Sequence, residues 1–204
     1  MSRDAVLRTI HANGFSDAMM QLEPGSIMII EPDQQITFVV REYVAGFLFD
    51  HAEENVALIL KGGRNPLHPN RLTWQEGKHN AIGGKVEPGE TPLEAMRREF
   101  KEEALKEVTE WREFCVLEGD GFRVHFFMAH ADNIHDVQSG TDEPVHICGV
   151  HDLPQALMTN LRWLILMAQS MKDERAAAFL VKEQYPAGAP VTTKAISLVI
   201  EVRP

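Results

Sequence analysis

The stretch "GGKVEPGETPLEAMRREFKEEALKEV", residues 83–108, holds seven glutamates in 26 residues, and its reading decides the fold. Thr91 has the side chain of an N-cap, Pro92 suits the first helical position, and Glu94 completes a T-x-x-E capping box. With about 100° per residue from Pro92 onward, Leu93, Met96, Phe100 and Ala104 fall within an arc of roughly 80° and form a core-facing stripe. Glu99 and Glu103 are four apart and stack on one flank, with Glu102 about a quarter turn away. Like charges at that spacing repel by a few tenths of a kcal/mol unless something positive lies between them. A solvated, salt-bridged face is the ordinary reading of a charged helix. The carboxylate stack and the Gly83-Gly84 turn before it, where backbone can approach a ligand, point instead to an oxygen-ligand site for a hard cation.

The rest of the chain mixes strands and helices without regular alternation, which is an α+β pattern. A short amphipathic segment with Val6, Leu7 and Ile10 is expected to end at Asn13-Gly14. "SIMII" and "ITFVV" read as a hairpin around "EPDQQ". "YVAGFLFD" and "NVALILKG" are strands joined by the polar "HAEEN", and a polar loop with Arg64 and Trp74 follows. "FRVHFFMA" and "VHICGV" are buried strands, and "LMTNLRWLILMAQSM" is an apolar helix whose Trp163 belongs to the core. "AAFLVKEQY" and "ISLVIEVRP" flank "PAGAPVTT" and close a final hairpin over residues 177–203.

Composition narrows the function classes. A chain of 204 residues, 44% hydrophobic, can bury a core without disulfides or a structural metal. Its two cysteines, Cys115 and Cys148, have no C-x-x-C spacing and read as reduced thiols of a cytoplasmic protein. No run reaches the ~20 apolar residues of a membrane span, and the N-terminus lacks the apolar core of a secretory signal. A net charge of −10 argues against a nucleic-acid partner; it suits a nucleotide enzyme whose metal neutralises the substrate locally. The nine histidines show no H-E-x-x-H or Cys/His zinc spacing. "KGGRNP" is not a phosphate-binding P-loop, because no Gly-Lys-Ser/Thr follows.

The glutamate stretch resembles the box of the Nudix hydrolases, G-x5-E-x7-R-E-U-x-E-E-x-G-U, with U a bulky aliphatic residue. Gly84, Glu90, Arg98, Glu99, Glu102 and Glu103 match in register. Phe100 keeps an apolar position, whereas Leu105 replaces the second glycine and Lys106 the last aliphatic. The resemblance implies a Nudix fold: a mixed sheet sandwiched between helices, here with an N-terminal extension (residues 1–40) and a main domain (41–204) that includes the final hairpin. It implies hydrolysis of a pyrophosphate bond in a nucleotide derivative, with Mg2+ or Mn2+ held by Glu99, Glu103, Glu102 and the Gly83 carbonyl. Glu143 in "SGTDEPV" is a candidate for a further acidic ligand, and Glu99, Glu103 and Glu143 are the candidates for the base. Glu90 and Arg98 pair structurally, and Lys85 and Lys61 are placed to meet phosphate.

"HNAIGGKVEPGET", "RVHFF" and "TDE" are similar to the oxidised-purine nucleoside triphosphatases, in which an Asn at the position of Asn80 contacts the base. That group's paired acidic base readers are replaced by Thr159 and Asn160. The expected substrate is a (d)NTP or an oxidised purine dNTP, docked between the Gly-Gly loop, Asn80 and residues 153–171, with the protein a monomer or homodimer. The rivals are an ADP-ribose or dinucleoside polyphosphate pyrophosphatase and a catalytically silent nucleotide sensor. The ADP-ribose hydrolases' proline beyond the box is absent, with Gly121-Phe122 in its place, and all four box glutamates and the arginine are present, against the sensor. With Leu105, Lys106, Glu107 and Val108 all helix-compatible, the helix is expected to run past the family's usual stop or to exit without a left-handed cap.

Overall fold

A computed structural model of the chain describes residues 28–30, 36–38, 41–62, 75–119, 121–171, 178–184 and 195–197. The amphipathic segment expected within residues 1–24, and Arg64 and Trp74, lie outside the described residues. Ten strands and two helices are present among them. Strands β1 (Met28–Ile30) and β2 (Ile36–Phe38) pair antiparallel as a separate two-stranded sheet.

The larger sheet is mixed. Strand β3 (Arg41–Asp50) turns into β4 (Asn55–Leu60), which also pairs with the short β5 (His79–Asn80). Helix α1 (Pro92–Ala104) then leads to the antiparallel pair β6 (Arg112–Gly119) and β7 (Phe122–Ala131). β7 returns parallel to β3 over ten residue pairs, from Arg41↔Phe122 to Asp50↔Ala131. After a 3-10 turn at Ile134–Asp136, β8 (Val145–Gly149) adds antiparallel to β4. Helix α2 (Leu161–Ser170) follows; β9 (Phe179–Gln184) joins β6 in parallel and carries β10 (Ala195–Ser197) antiparallel at the edge.

The pleat of β3 and β4 sends alternate side chains to opposite faces. Val44, Leu48, Ala57 and Ile59 pack with Met96, Phe100 and Ala104 of α1. Phe47, Phe49, Val56 and Leu58 pack with Leu161, Leu164, Ile165 and Ala168 of α2. The sheet is therefore sandwiched between the two helices. Gly46 lets α1 lie close: a Cβ there would meet Met96 Cε at 2.8 Å and Trp111 Cζ3 at 2.9 Å.

Strand β6 has no counterpart among the sequence expectations. A register shift between Glu113 and Cys115 breaks its alternation, so Phe114, Cys115, Val116 and Leu117 are all buried. That run has neither the strand nor the helix period.

The exit of α1 corrects the sequence reading. The helix stops at Ala104, and Leu105 takes the left-handed conformation, φ 48°, ψ 29°. Two backbone bonds from a distant loop explain the stop. Gln138 N–H donates to the Ala104 carbonyl at 3.0 Å, and Gly140 N–H to the Glu103 carbonyl at 2.8 Å. These satisfy orphan carbonyls that a longer helix would have to satisfy itself. Gly140 can come so close because it has no Cβ; one would lie 2.0 Å from the Glu102 carbonyl oxygen.

Candidate active site

The start of α1 has the capping box in full. The Glu94 N–H donates to Thr91 Oγ1 at 3.3 Å, and the Thr91 N–H donates to Glu94 Oε2 at 2.8 Å. Upstream, residues 82–86 run along β3, with Gly46 N–H on the Ile82 carbonyl (2.7 Å) and Val44 N–H on that of Gly84 (2.9 Å). The two glycines are required for different reasons. Gly83 has φ +152°, and a Cβ there would lie 2.2 Å from the Val44 carbonyl oxygen. At Gly84 the obstacle is a side chain: the Glu99 carboxylate sits over the Cα, with Cδ 2.4 Å from where a Cβ would be.

Arg98 ties this loop to the helix. Its Nε and Nη2 each donate to a different oxygen of Glu90 at 2.9 Å, the bidentate geometry that makes such pairs strong. Nη2 also donates to the Lys85 carbonyl (3.0 Å), and Nη1 reaches Glu99 Oε1 at 2.8 Å and Glu102 Oε2 at 3.5 Å. The Arg98 hydrogen bonds hold the Glu90 carboxyl below its usual range despite partial burial, helped by the Glu87 N–H. The guanidinium is correspondingly raised, chiefly by Glu90.

Glu103 is on the buried side of the stack. Its Oε2 accepts the Gly83 N–H at 2.9 Å, and its Oε1 lies 3.4 Å from Lys61 Nζ. Burial pushes its carboxyl up; Lys61 and the Gly83 N–H oppose that, and Glu99 adds to the rise. Glu143 arrives from the loop before β8. It is 3% exposed, with Oε2 at 2.9 Å from Lys61 Nζ and Oε1 accepting the Gly62 N–H at 3.1 Å. Lys61, expected to face phosphate, has its ammonium between two carboxylates.

Among the described residues, no three His, Cys, Asp or Glu side chains converge as they stand on one metal position. The donor chemistry nonetheless fits a hard divalent cation. The groups around the Gly-Gly turn are carboxylates: Glu99 and Glu103 lie on successive turns of α1, and the exposed Glu102 is on the same flank. With Glu90 they make four carboxylates, in contact with Arg98 and Lys61. A surplus of oxygen anions beside an open glycine turn suits Mg2+ or Mn2+.

The residues expected to meet substrate are placed by backbone pairing. His79 N–H donates to the Ala156 carbonyl (2.8 Å), and Met158 N–H donates to that of His79 (3.0 Å), so residues 156–158 run beside β5. This brings exposed Thr159 and half-buried Asn160 to the neighbourhood of Asn80. Asn160 caps α2 without a side-chain hydrogen bond, and Asn80 Oδ1 accepts only the Ala81 N–H among the bonds described. Lys85 is exposed. A contact between His79 Nε2 and His146 Nδ1, at 2.9 Å, joins β5 to β8. Sequence spacing has no signal for it, because the two strands meet only across β4.

Residues 39–165, more than half of the chain, match the model of the NUDIX domain. The chain belongs to the Nudix family. This Nudix protein is a pyrophosphohydrolase of the family's type, acting on a nucleotide derivative. No curated protein matches the sequence. Solved structures share the fold of this Nudix protein at low identity. The mutator MutT protein from Bacillus halodurans superposes with a TM-score of 0.53 at 17% identity, covering 76% of this chain and 97% of its own. A NUDIX hydrolase from Nitrosomonas europaea gives 0.53 at 18% identity, covering 80% and 97%. MutT NUDIX hydrolase from Burkholderia pseudomallei gives 0.50 at 22% identity, covering 62% and 96%. Among the described residues, no helix is long and apolar enough to cross a membrane.

Proposed function

We propose that this Nudix hydrolase cleaves a pyrophosphate bond of a (d)NTP or an oxidised purine dNTP, with Mg2+ or Mn2+ as cofactor. The observation that carries the reading is the intact carboxylate set around the glycine turn. Glu99 lies over Gly84 and contacts Arg98, which pairs with Glu90, while Glu103 is bonded to Gly83 and contacts Lys61. Glu99, Glu103, Glu102, the Gly83 carbonyl and Glu143 would hold the metal. When bound, the cation supplies an activated water and neutralises phosphate charge.

The chain's own residues do the rest. A carboxylate among Glu99, Glu103 and Glu143 takes the proton of the attacking water. Arg98 and Glu90 keep the loop seated, and Lys85 meets phosphate oxygens at the surface. Asn80 contacts the base, with Thr159 and Asn160 on the facing segment. The pairing of β9 with β6 supports counting the final hairpin within a domain of residues 41–204, with residues 1–40 as an extension. A cytoplasmic monomer or homodimer is the setting that accompanies this reading.

Phosphate release tests it, over dNTPs, oxidised dNTPs, ADP-ribose, NADH and dinucleoside polyphosphates, with Mg2+, Mn2+ or EDTA. Hydrolysis of a (d)NTP that needs the metal and is abolished by Glu103→Gln is the expected result. Turnover confined to ADP-ribose or dinucleoside polyphosphates moves the substrate to those rivals. Tight nucleotide binding without turnover identifies a sensor. Turnover unaffected by Glu103→Gln sinks the mechanism.

A further inference from the structure

Two histidines reach toward each other over β4. His79 of β5 lies opposite Leu60 and His146 of β8 opposite Leu58. Strand alternation therefore puts both on the face that holds Leu58 and α2. The rings meet nitrogen to nitrogen, with His79 Nε2 at 2.9 Å from His146 Nδ1, centroids 5.2 Å apart and planes tilted by 46°. The other nitrogen of His79, Nδ1, lies 3.2 Å from the Ala156 carbonyl oxygen. A carbonyl only accepts, so Nδ1 donates. In the neutral ring Nε2 is then bare, and it accepts from His146 Nδ1–H. The hydrogen bonds run one way, from His146 through His79 to Ala156.

The Ala156 carbonyl also accepts the His79 backbone N–H at 2.8 Å, and the Met158 N–H donates to the His79 carbonyl at 3.0 Å. His79 is thus bonded through main chain and side chain to an irregular segment that leads directly into Thr159 and Asn160. Asn80 follows His79 in the chain. One residue therefore sets how these two parts of the site face each other, and His146 fixes the ring of that residue.

We propose that His79 and His146 are positioning residues for the nucleotide: the pair holds Thr159 and Asn160 in register with Asn80, so that the base side of the site is formed before substrate enters. The inference rests on the base-contact reading under Proposed function. A site already ordered binds more tightly, because the cost of ordering it is not charged to binding. The α1 carboxylates have separate supports, Arg98 for Glu99 and the Gly83 N–H and Lys61 for Glu103. Loss of the histidine pair therefore weakens nucleotide binding and leaves the turnover of bound nucleotide intact.

The test compares the full-length wild type with His146→Ala and His146→Asn. KM and kcat are measured for the common dNTPs and 8-oxo-dGTP in saturating Mg2+, and the histidine ring nitrogens are read by 15N NMR. His146 is exposed, so both variants are expected to fold. In the wild type, the neutral rings of His79 and His146 should both carry their proton on Nδ1. His146→Ala should raise KM about fivefold, the order of one net hydrogen bond, with kcat unchanged. His146→Asn, whose side-chain amide can donate in place of Nδ1–H, should restore the wild-type KM.

An unchanged KM in His146→Ala, or a KM that stays raised in His146→Asn, overturns the inference and leaves the substrate reading intact. So does a neutral His79 ring protonated on Nε2. A fall in kcat at unchanged KM also overturns it, because the pair would then act on the chemical step. A wild type that neither hydrolyses nor binds any of these nucleotides overturns the substrate reading, and the inference with it.

Discussion

At the scale of single residues, two positions carry opposite lessons about backbone space. Gly84 is occupied from outside, since the Glu99 carboxylate lies where a Cβ would go. Gly84→Ala therefore displaces the end of a flexible side chain rather than the backbone. Phosphate release should fall about 100-fold, the order of loss for a misplaced catalytic group, while the melting temperature moves only a few degrees. A large drop in melting temperature would show that the strain falls on the backbone instead. Leu105 is the reverse case, a branched side chain held at φ 48° and 58% exposed. A glycine there removes the left-handed penalty and gives up little burial. Leu105→Gly should raise unfolding stability by about 1 kcal/mol in denaturant titration; a destabilised variant would mean that the Leu105 side chain earns its place by packing near Gly140.

At the scale of elements, turns and caps differ in how much of them is local. The box at Thr91 and Glu94 is made within four residues and was readable as such. The β3–β4 turn is also local. Asp50 accepts the N–H groups of Glu54 (2.8 Å) and Asn55 (3.2 Å) and the Asn55 side chain (2.6 Å), while Glu53 takes φ 54°. Partial burial pushes the Asp50 carboxyl up, but the Asn55 and Glu54 hydrogen bonds outweigh it and hold the group below its ordinary range. A depressed folded value means that the stabilisation is complete above the unfolded value of about 3.9. It is lost as pH falls through the lower folded value. Asp50→Ala should therefore cost about 1 kcal/mol at pH 7, and the gap from wild type should close in acid below that window. Denaturant midpoints across pH check it; a gap that stays constant into strong acid would exclude the carboxylate as its source. The exit of α1 was not legible in the same way, because the N–H groups that end it belong to Gln138 and Gly140.

At the scale of the whole molecule, the two thiols report how tightly the layers close. Cys115 is buried in β6 and its thiol is pushed up to about 12 by burial, with Glu113 adding to the rise. Burial raises Cys148 in β8 as well. Neither should react with a disulfide reagent at pH 8 in the native state, and both should titrate once guanidinium unfolds the chain. Fast labelling of either one without denaturant would place its strand in a region that opens locally. The sequence by itself determined the glutamate helix, its N-cap, the Glu90–Arg98 pair, both flanking hairpins and the α+β class. Each depends on residues close in the chain, on a hydrophobic period, or on a motif in fixed register. Only the tertiary structure decided the parallel pairing of β3 with β7, the bulged strand β6, the stop at Ala104 and the seating of Lys61 between Glu103 and Glu143. The physical reason is the same throughout. Backbone pairing and buried charge are settled by groups that arrive from far along the chain, and neither local propensity nor periodicity records which group arrives.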